Sequence, residues 1–117
     1  MIVRTRCVEG RLRNAYPVAE HDVEIQVSGV EFADLGRVLS EEAKRVLADD
    51  PRCRKVVYAA PAGVREAIDA AESAGFRNVV EVDVLTPLGG VEELVLLVRE
   101  PAYVTEVDMD LDRVPGS

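Results

Sequence analysis

His21 is the only histidine in the 117-residue sequence, and Glu20 and Asp22 flank it. Those residue types could serve a metal site or a nucleophilic triad. Neighbouring residues of a strand point to opposite faces, and no serine sits in a nucleophile-elbow sequence, so His21 is expected at the surface. The run Asp108-Met109-Asp110-Leu111-Asp112 spaces its carboxylates like the start of a calcium loop. It lacks the glycine and the terminal glutamate such a loop needs, and its alternating Met and Leu indicate a strand face. No metal site is predicted. Cys7 and Cys53 have neither paired spacing nor a histidine cluster nearby, which reads as two free, reduced thiols.

Charge is divided between the two ends. Arg4, Arg6, Arg11 and Arg13 lie near the start, and Glu106, Asp108, Asp110 and Asp112 near the end. Opposite charges across neighbouring strands attract. The acidic tail is therefore expected either to pair with the N-terminal region, within one chain or between two in a symmetric homodimer, or to be a frayed end. The overall balance is acidic, with a formal net charge of -8. Nucleic-acid binding needs clustered Lys and Arg and is not expected.

The elements that must position these residues follow from periodicity. Residues 2–8 alternate and read as a strand. Residues 11–18 read as a weaker returning strand interrupted by Pro17. Residues 22–27 form a better strand, with Val23, Ile25 and Val27 facing one way. Residues 33–49 predict a helix, because Leu35, Val38, Leu39, Ala43, Val46 and Leu47 share one face. Residues 54–60 form a short apolar strand. Pro61 is expected to open a second helix that runs to about Ala74 and stops at Gly75. Residues 78–85 and 92–99 predict a hairpin, and residues 103–112 alternate as a terminal strand. This length suits a single domain: N-terminal strands over residues 1–22, a core over 23–100 and an acidic strand or tail over 101–117. Aromatics make up 4% of the chain, so the core must be built from Val, Leu, Ile and Ala. The N-terminus has no apolar signal segment and no apolar run approaches a membrane span of about 20 residues, which predicts a cytoplasmic protein without membrane contact.

Two local sequences carry a family resemblance. Gly36-Arg37-Val38-Leu39, followed by Glu41-Glu42-Ala43, resembles the start of the cofactor helix of GNAT acyltransferases. Ala70-Ala71-Glu72-Ser73-Ala74-Gly75-Phe76-Arg77 resembles that family's helix ending in Gly-Phe before a strand. With the element order, they make residues 23–100 similar to the C-terminal half of the GNAT fold. The resemblance implies an α/β (α+β) fold: a mixed, mostly antiparallel sheet, two main helices and a β-α-β-α-β-β core. It also implies acetyl-CoA as cofactor.

The same resemblance implies site residues. The family loop has the pattern Arg/Gln-x-x-Gly-x-Gly/Ala, whose backbone N–H groups face the pyrophosphate. Here it reads Glu31-Phe32-Ala33-Asp34-Leu35-Gly36, with only Gly36 retained. Two carboxylates would stand beside the pyrophosphate, which repels them. Arg37 offsets one charge, and an ordinary reading makes Asp34 a residue of a helix N-terminus. Val27, Gly36 and Arg37 are thus the cofactor-binding candidates. Many family members carry a proton-donating Tyr where this chain has Ala71, which leaves Tyr58 as the candidate donor. Glu24, on the strand before the loop, is the candidate base that frees the amine. The plain alternatives are packing for Tyr58 and a solvated face for Glu24.

Two functions on this scaffold remain open on the sequence. One is an acyltransferase that moves an acyl group from coenzyme A to an amine. The other is a non-catalytic module on the same scaffold, working through a protein partner or a homodimer. A third, an unrelated ligand-binding α/β domain, predicts a sheet without the splayed central strands that GNAT enzymes use for pantetheine.

Overall fold

A computed structural model describes residues 1–14 and 17–101. The predicted tail strand and its pairing with the N-terminal arginines lie outside the described residues. Within them, the elements are β1 (Ile2–Arg6), β2 (Val23–Val27), α1 (Phe32–Asp49), β3 (Val56–Pro61), α2 (Arg65–Ser73), β4 (Arg77–Leu85) and β5 (Val91–Arg99). The strands form one sheet in the order β1-β2-β3-β5-β4. Only β2 and β3 run parallel, because α1 must cross over between them. The mixed, mostly antiparallel α+β architecture is the one expected.

Both helices pack on one face of the sheet. The stripe Leu35, Leu39, Ala43 and Val46 meets Ile25, Val56, Tyr58 and Ala67 there. The opposite face is also covered. Cys7 and Leu12 pack on Val57, Ala59, Leu94, Leu96 and Val98. Every residue from Val56 to Ala60 is consequently buried, as expected of a central strand covered on both sides.

The cover on this second face explains three departures from the periodicity reading. The first strand ends at Arg6, and residues 7–9 form a single 3-10 turn. The returning strand at residues 11–18 does not form among the described residues; turns occupy 11–14. Leu12, fully buried, pins that turn to the sheet. Pro61 ends a strand instead of opening a helix. It opposes Leu94 on β5. The next residue, Ala62, donates its N–H to Glu93 on β5, so the proline nitrogen faces the other way, where no strand needs a donor.

Burial on both faces of the sheet, of Cys7 on this side and Cys53 on the helix side, also sets thiol chemistry. Desolvation pushes the Cys7 thiol up to about 12, with the Asp22 and Glu24 carboxylates adding to it, and burial raises the Cys53 thiol as well. In the unfolded chain the Cys7 thiol ionises near 9, while the folded chain keeps its proton. Stability should therefore be fully present below pH 9 and fall as pH rises from 9 towards 12. Each such thiol contributes at most about 1.4 kcal/mol per pH unit. Urea midpoints of wild type and Cys7→Ala between pH 8 and 10.5 check this: the variant should show a shallower decline.

Candidate functional site

The sheet opens in its middle. β2 and β3 pair at Val23↔Val56, Glu24↔Val57 and Ile25↔Tyr58. Beyond that point β2 continues to Val27 against β1, and β3 continues to Pro61 against β5. The two central strands separate while each keeps its outer neighbour. A cleft of about 400 Å³ occupies the gap, with Arg11, Gln26, Val27, Ser28, Tyr58 and Ala59 among its walls. That volume suits a small-molecule site. Past Ile25 and Tyr58 the facing edges of β2 and β3 no longer pair with each other, so their backbone groups on that side need other partners.

Of the residues singled out from sequence, Val27 and Tyr58 both line this cleft. Burial raises the Tyr58 phenol above its ordinary value, so it stays protonated at neutral pH. Glu24 is not on a solvated face. It is 1% exposed because the segment carrying Cys7, Arg11 and Leu12 covers that side of β2. Its Oε2 accepts from Arg11 Nη2 at 2.8 Å and Nε at 3.2 Å, and from Gln26 Nε2 at 3.4 Å. Oε1 is buried with no hydrogen-bond partner among the described residues. Glu24 and Tyr58 lie on opposite faces of the sheet, since Tyr58 is in register with Ile25 and Glu24 with Val57.

Gly36 and Arg37 are not among the residues that line the cleft. The helix α1 begins at Phe32, so Gly36 lies inside it. A Cβ at Gly36 would come within 2.8 Å of Ser73 Oγ and 3.1 Å of the Ala70 carbonyl oxygen. This glycine permits α1 and α2 to approach. Arg37 makes exposed ion pairs with Asp34 and Glu41, both at 3.7 Å. Glu31 precedes the helix and Asp34 stands in its first turn, where carboxylates favour the positive end of the helix dipole. His21 is half-buried and faces Asp50 at 3.4 Å. Among the described residues no group of three His, Cys, Asp or Glu side chains could hold a metal ion, and no helix is long and apolar enough to cross a membrane.

Sequence patterns missed Arg11. Its partners Glu24 and Glu92 lie 13 and 81 residues away, and no local motif marks it. Two of the other N-terminal arginines also find partners within the described residues: Arg4 binds Glu42 and Asp49, and Arg6 approaches Glu9 and Glu20.

No family model matches the sequence, and no curated protein matches it. A solved structure does: AAC(6')-Ib in complex with paromomycin and acetyl-CoA, with 23% sequence identity and a TM-score of 0.51. The match covers 71% of this chain and 46% of that one, so this chain spans less than half of that protein's length. At this identity the likeness is one of fold, and it supports a GNAT-like fold.

Proposed function

We propose that the cleft between β2 and β3 takes the pantetheine arm of an acyl-coenzyme A, and that the protein is a small GNAT-like N-acyltransferase acting on an amine. The observation that carries this reading is the separation of the two central strands after Ile25 and Tyr58. Unpaired backbone in a sheet's middle is costly unless water or a ligand satisfies it, and a pantetheine arm presents amide groups of the right kind. The acetyl-CoA held by the structurally similar AAC(6')-Ib is consistent with it. Gln26, Val27 and Ser28 on one wall would hold the arm, opposite Ala59 on the other. The bound thioester supplies the acyl group. Tyr58, kept neutral by burial, sits on the cleft wall with a proton to give to a departing thiolate. Glu24 is a poor base for the amine, because it is buried on the face of the sheet opposite Tyr58.

The second reading, a non-catalytic module on the same scaffold, has its own observation. The stretch assigned to the pyrophosphate is helical from Phe32, carries Glu31 and Asp34, and spends its glycine on contact with α2.

Calorimetry with millimolar acetyl-CoA at low ionic strength separates the two. Micromolar binding is expected, with Tyr58→Phe binding equally well but transferring to amines about 10²-fold more slowly. Absence of both heat and thermal shift would remove the enzyme reading and leave the scaffold reading.

A further inference from the structure

Arg11 uses its nitrogens unequally. Nε and Nη2 both donate to Oε2 of Glu24, at 3.2 and 2.8 Å. Nη1 reaches Glu92 only at 3.4 Å. The two carboxylates differ as much in burial: the Glu24 side chain is 1% exposed and that of Glu92 42%. One is a fixed anchor and the other an exchangeable contact at the rim. Exposed ion pairs of this kind hold weakly and are easily replaced.

The backbone fixes Arg11 as well. Arg13 N–H bonds to the Gly10 carbonyl at 3.2 Å, and the adjacent Leu12 is fully buried. The guanidinium is thus held from behind by Glu24 and from below by the turn, and it forms part of the cleft wall beside Gln26 and Ser28. A planar guanidinium with one weakly engaged edge is suited to carboxylate and phosphate oxygens, and a held one loses less freedom on binding.

We propose that Arg11 is an oxyanion-binding residue of the cleft, taking a carboxylate or phosphate group of the bound molecule in place of Glu92, and that Glu24 serves as its anchor. The site shares the cleft of the acyltransferase reading and deepens it. A carboxylate would belong to the acceptor amine, making it amino-acid-like. A phosphate would belong to the acyl donor, and would give this chain a cation that the acidic start of α1 does not provide.

The test uses the full chain, with glycine, glycinamide, inorganic phosphate and coenzyme A as probes. Binding is followed by calorimetry and by shifts of the Arg11 side-chain N–H signal. Glu92→Ala should tighten the responding anions at least 3-fold, and Arg11→Gln should weaken them at least 10-fold. A response to glycine without one to glycinamide identifies a carboxylate. A response to phosphate and coenzyme A without one to glycine identifies a phosphate. If Arg11→Gln fails to fold, Glu92→Ala still decides, because a purely structural arginine gains no affinity when its rim partner is removed. Unchanged affinity for every probe in folded Glu92→Ala, with a silent Arg11 signal, overturns the proposal. Anion binding at Arg11 without any acetyl-CoA binding would instead sink the acyltransferase reading alone.

Discussion

Arg11→Met should cost the fold about 3 kcal/mol or more, read as a fall in the urea midpoint at neutral pH. The loss comes from the partner left behind. Glu24 is 1% exposed, and Arg11 supplies two of the three hydrogen bonds to its Oε2, while Oε1 already has none among the described residues. Removing Arg11 would leave a buried carboxylate with a single long contact from Gln26, at 3.4 Å. An uncompensated buried charge is far more costly than the pair itself is stabilising. The double variant Arg11→Met with Glu24→Met should therefore be more stable than Arg11→Met alone, although it removes more polar contacts. If the single variant loses less than about 1 kcal/mol, the pair behaves as a surface contact and Glu24 is not the anchor described above. Domain stabilities are typically about 5–15 kcal/mol, so the expected loss is a large share of the whole.

This pair also marks where the sequence stopped being legible. Helix α1 could be read from the stripe Leu35, Leu39, Ala43 and Val46, since those residues meet the core through their own periodicity. The end of α2 could be read too. Gly75 adopts φ 89° and the Phe76 N–H returns to the Ala71 carbonyl, as a glycine C-cap followed by an apolar residue predicts. The β4–β5 hairpin followed from two strand-like runs around Pro87-Leu88-Gly89-Gly90. Periodicity fails on β2 because it reports which residues alternate, not whether a distant segment covers the second face. Val23-Glu24-Ile25 looks like a half-solvated strand. Glu24 is buried only because Cys7 and Leu12 arrive from a segment that folds into turns where its sequence suggests strands. The strand opening is invisible for a related reason: Ile25 and Val27 have the same local chemistry, yet pairing with β3 stops between them. Gly36 misleads differently. A glycine at a helix start fits close approach by a phosphate or by another helix, and the sequence does not say which.

Gly36→Val separates those two reasons for the glycine and should be the most damaging change in α1. The first added atom alone would stand 2.8 Å from Ser73 Oγ and 3.1 Å from the Ala70 carbonyl oxygen. Ser73 can rotate, at the loss of its 2.7 Å bond to that same carbonyl. The carbonyl is backbone and can yield only if α2 moves. The end of α2 is tied to α1 by Arg99, whose Nη1 donates to Ser40 Oγ at 3.1 Å and to the Ala74 carbonyl at 2.9 Å. Forcing the helices apart therefore strains both that link and the core beneath it. Valine, with two further methyls, should cost about 3 kcal/mol. Gly36→Ala gains roughly 1 kcal/mol of helix propensity, which offsets part of its smaller clash, and Ser73→Ala in the same chain should recover more by removing the nearest atom. Chemical denaturation of wild type, Gly36→Ala, Ser73→Ala and the double variant measures that coupling. If the glycine instead exists to admit a pyrophosphate, Gly36→Ala would leave the denaturation midpoint unchanged or raised and weaken acetyl-CoA by 10-fold or more, with no coupling to Ser73. Lost stability with coupling to Ser73, and unchanged affinity in the chains that fold, would make Gly36 a packing residue and leave the cleft beside Arg11 as the place where any anion must be met.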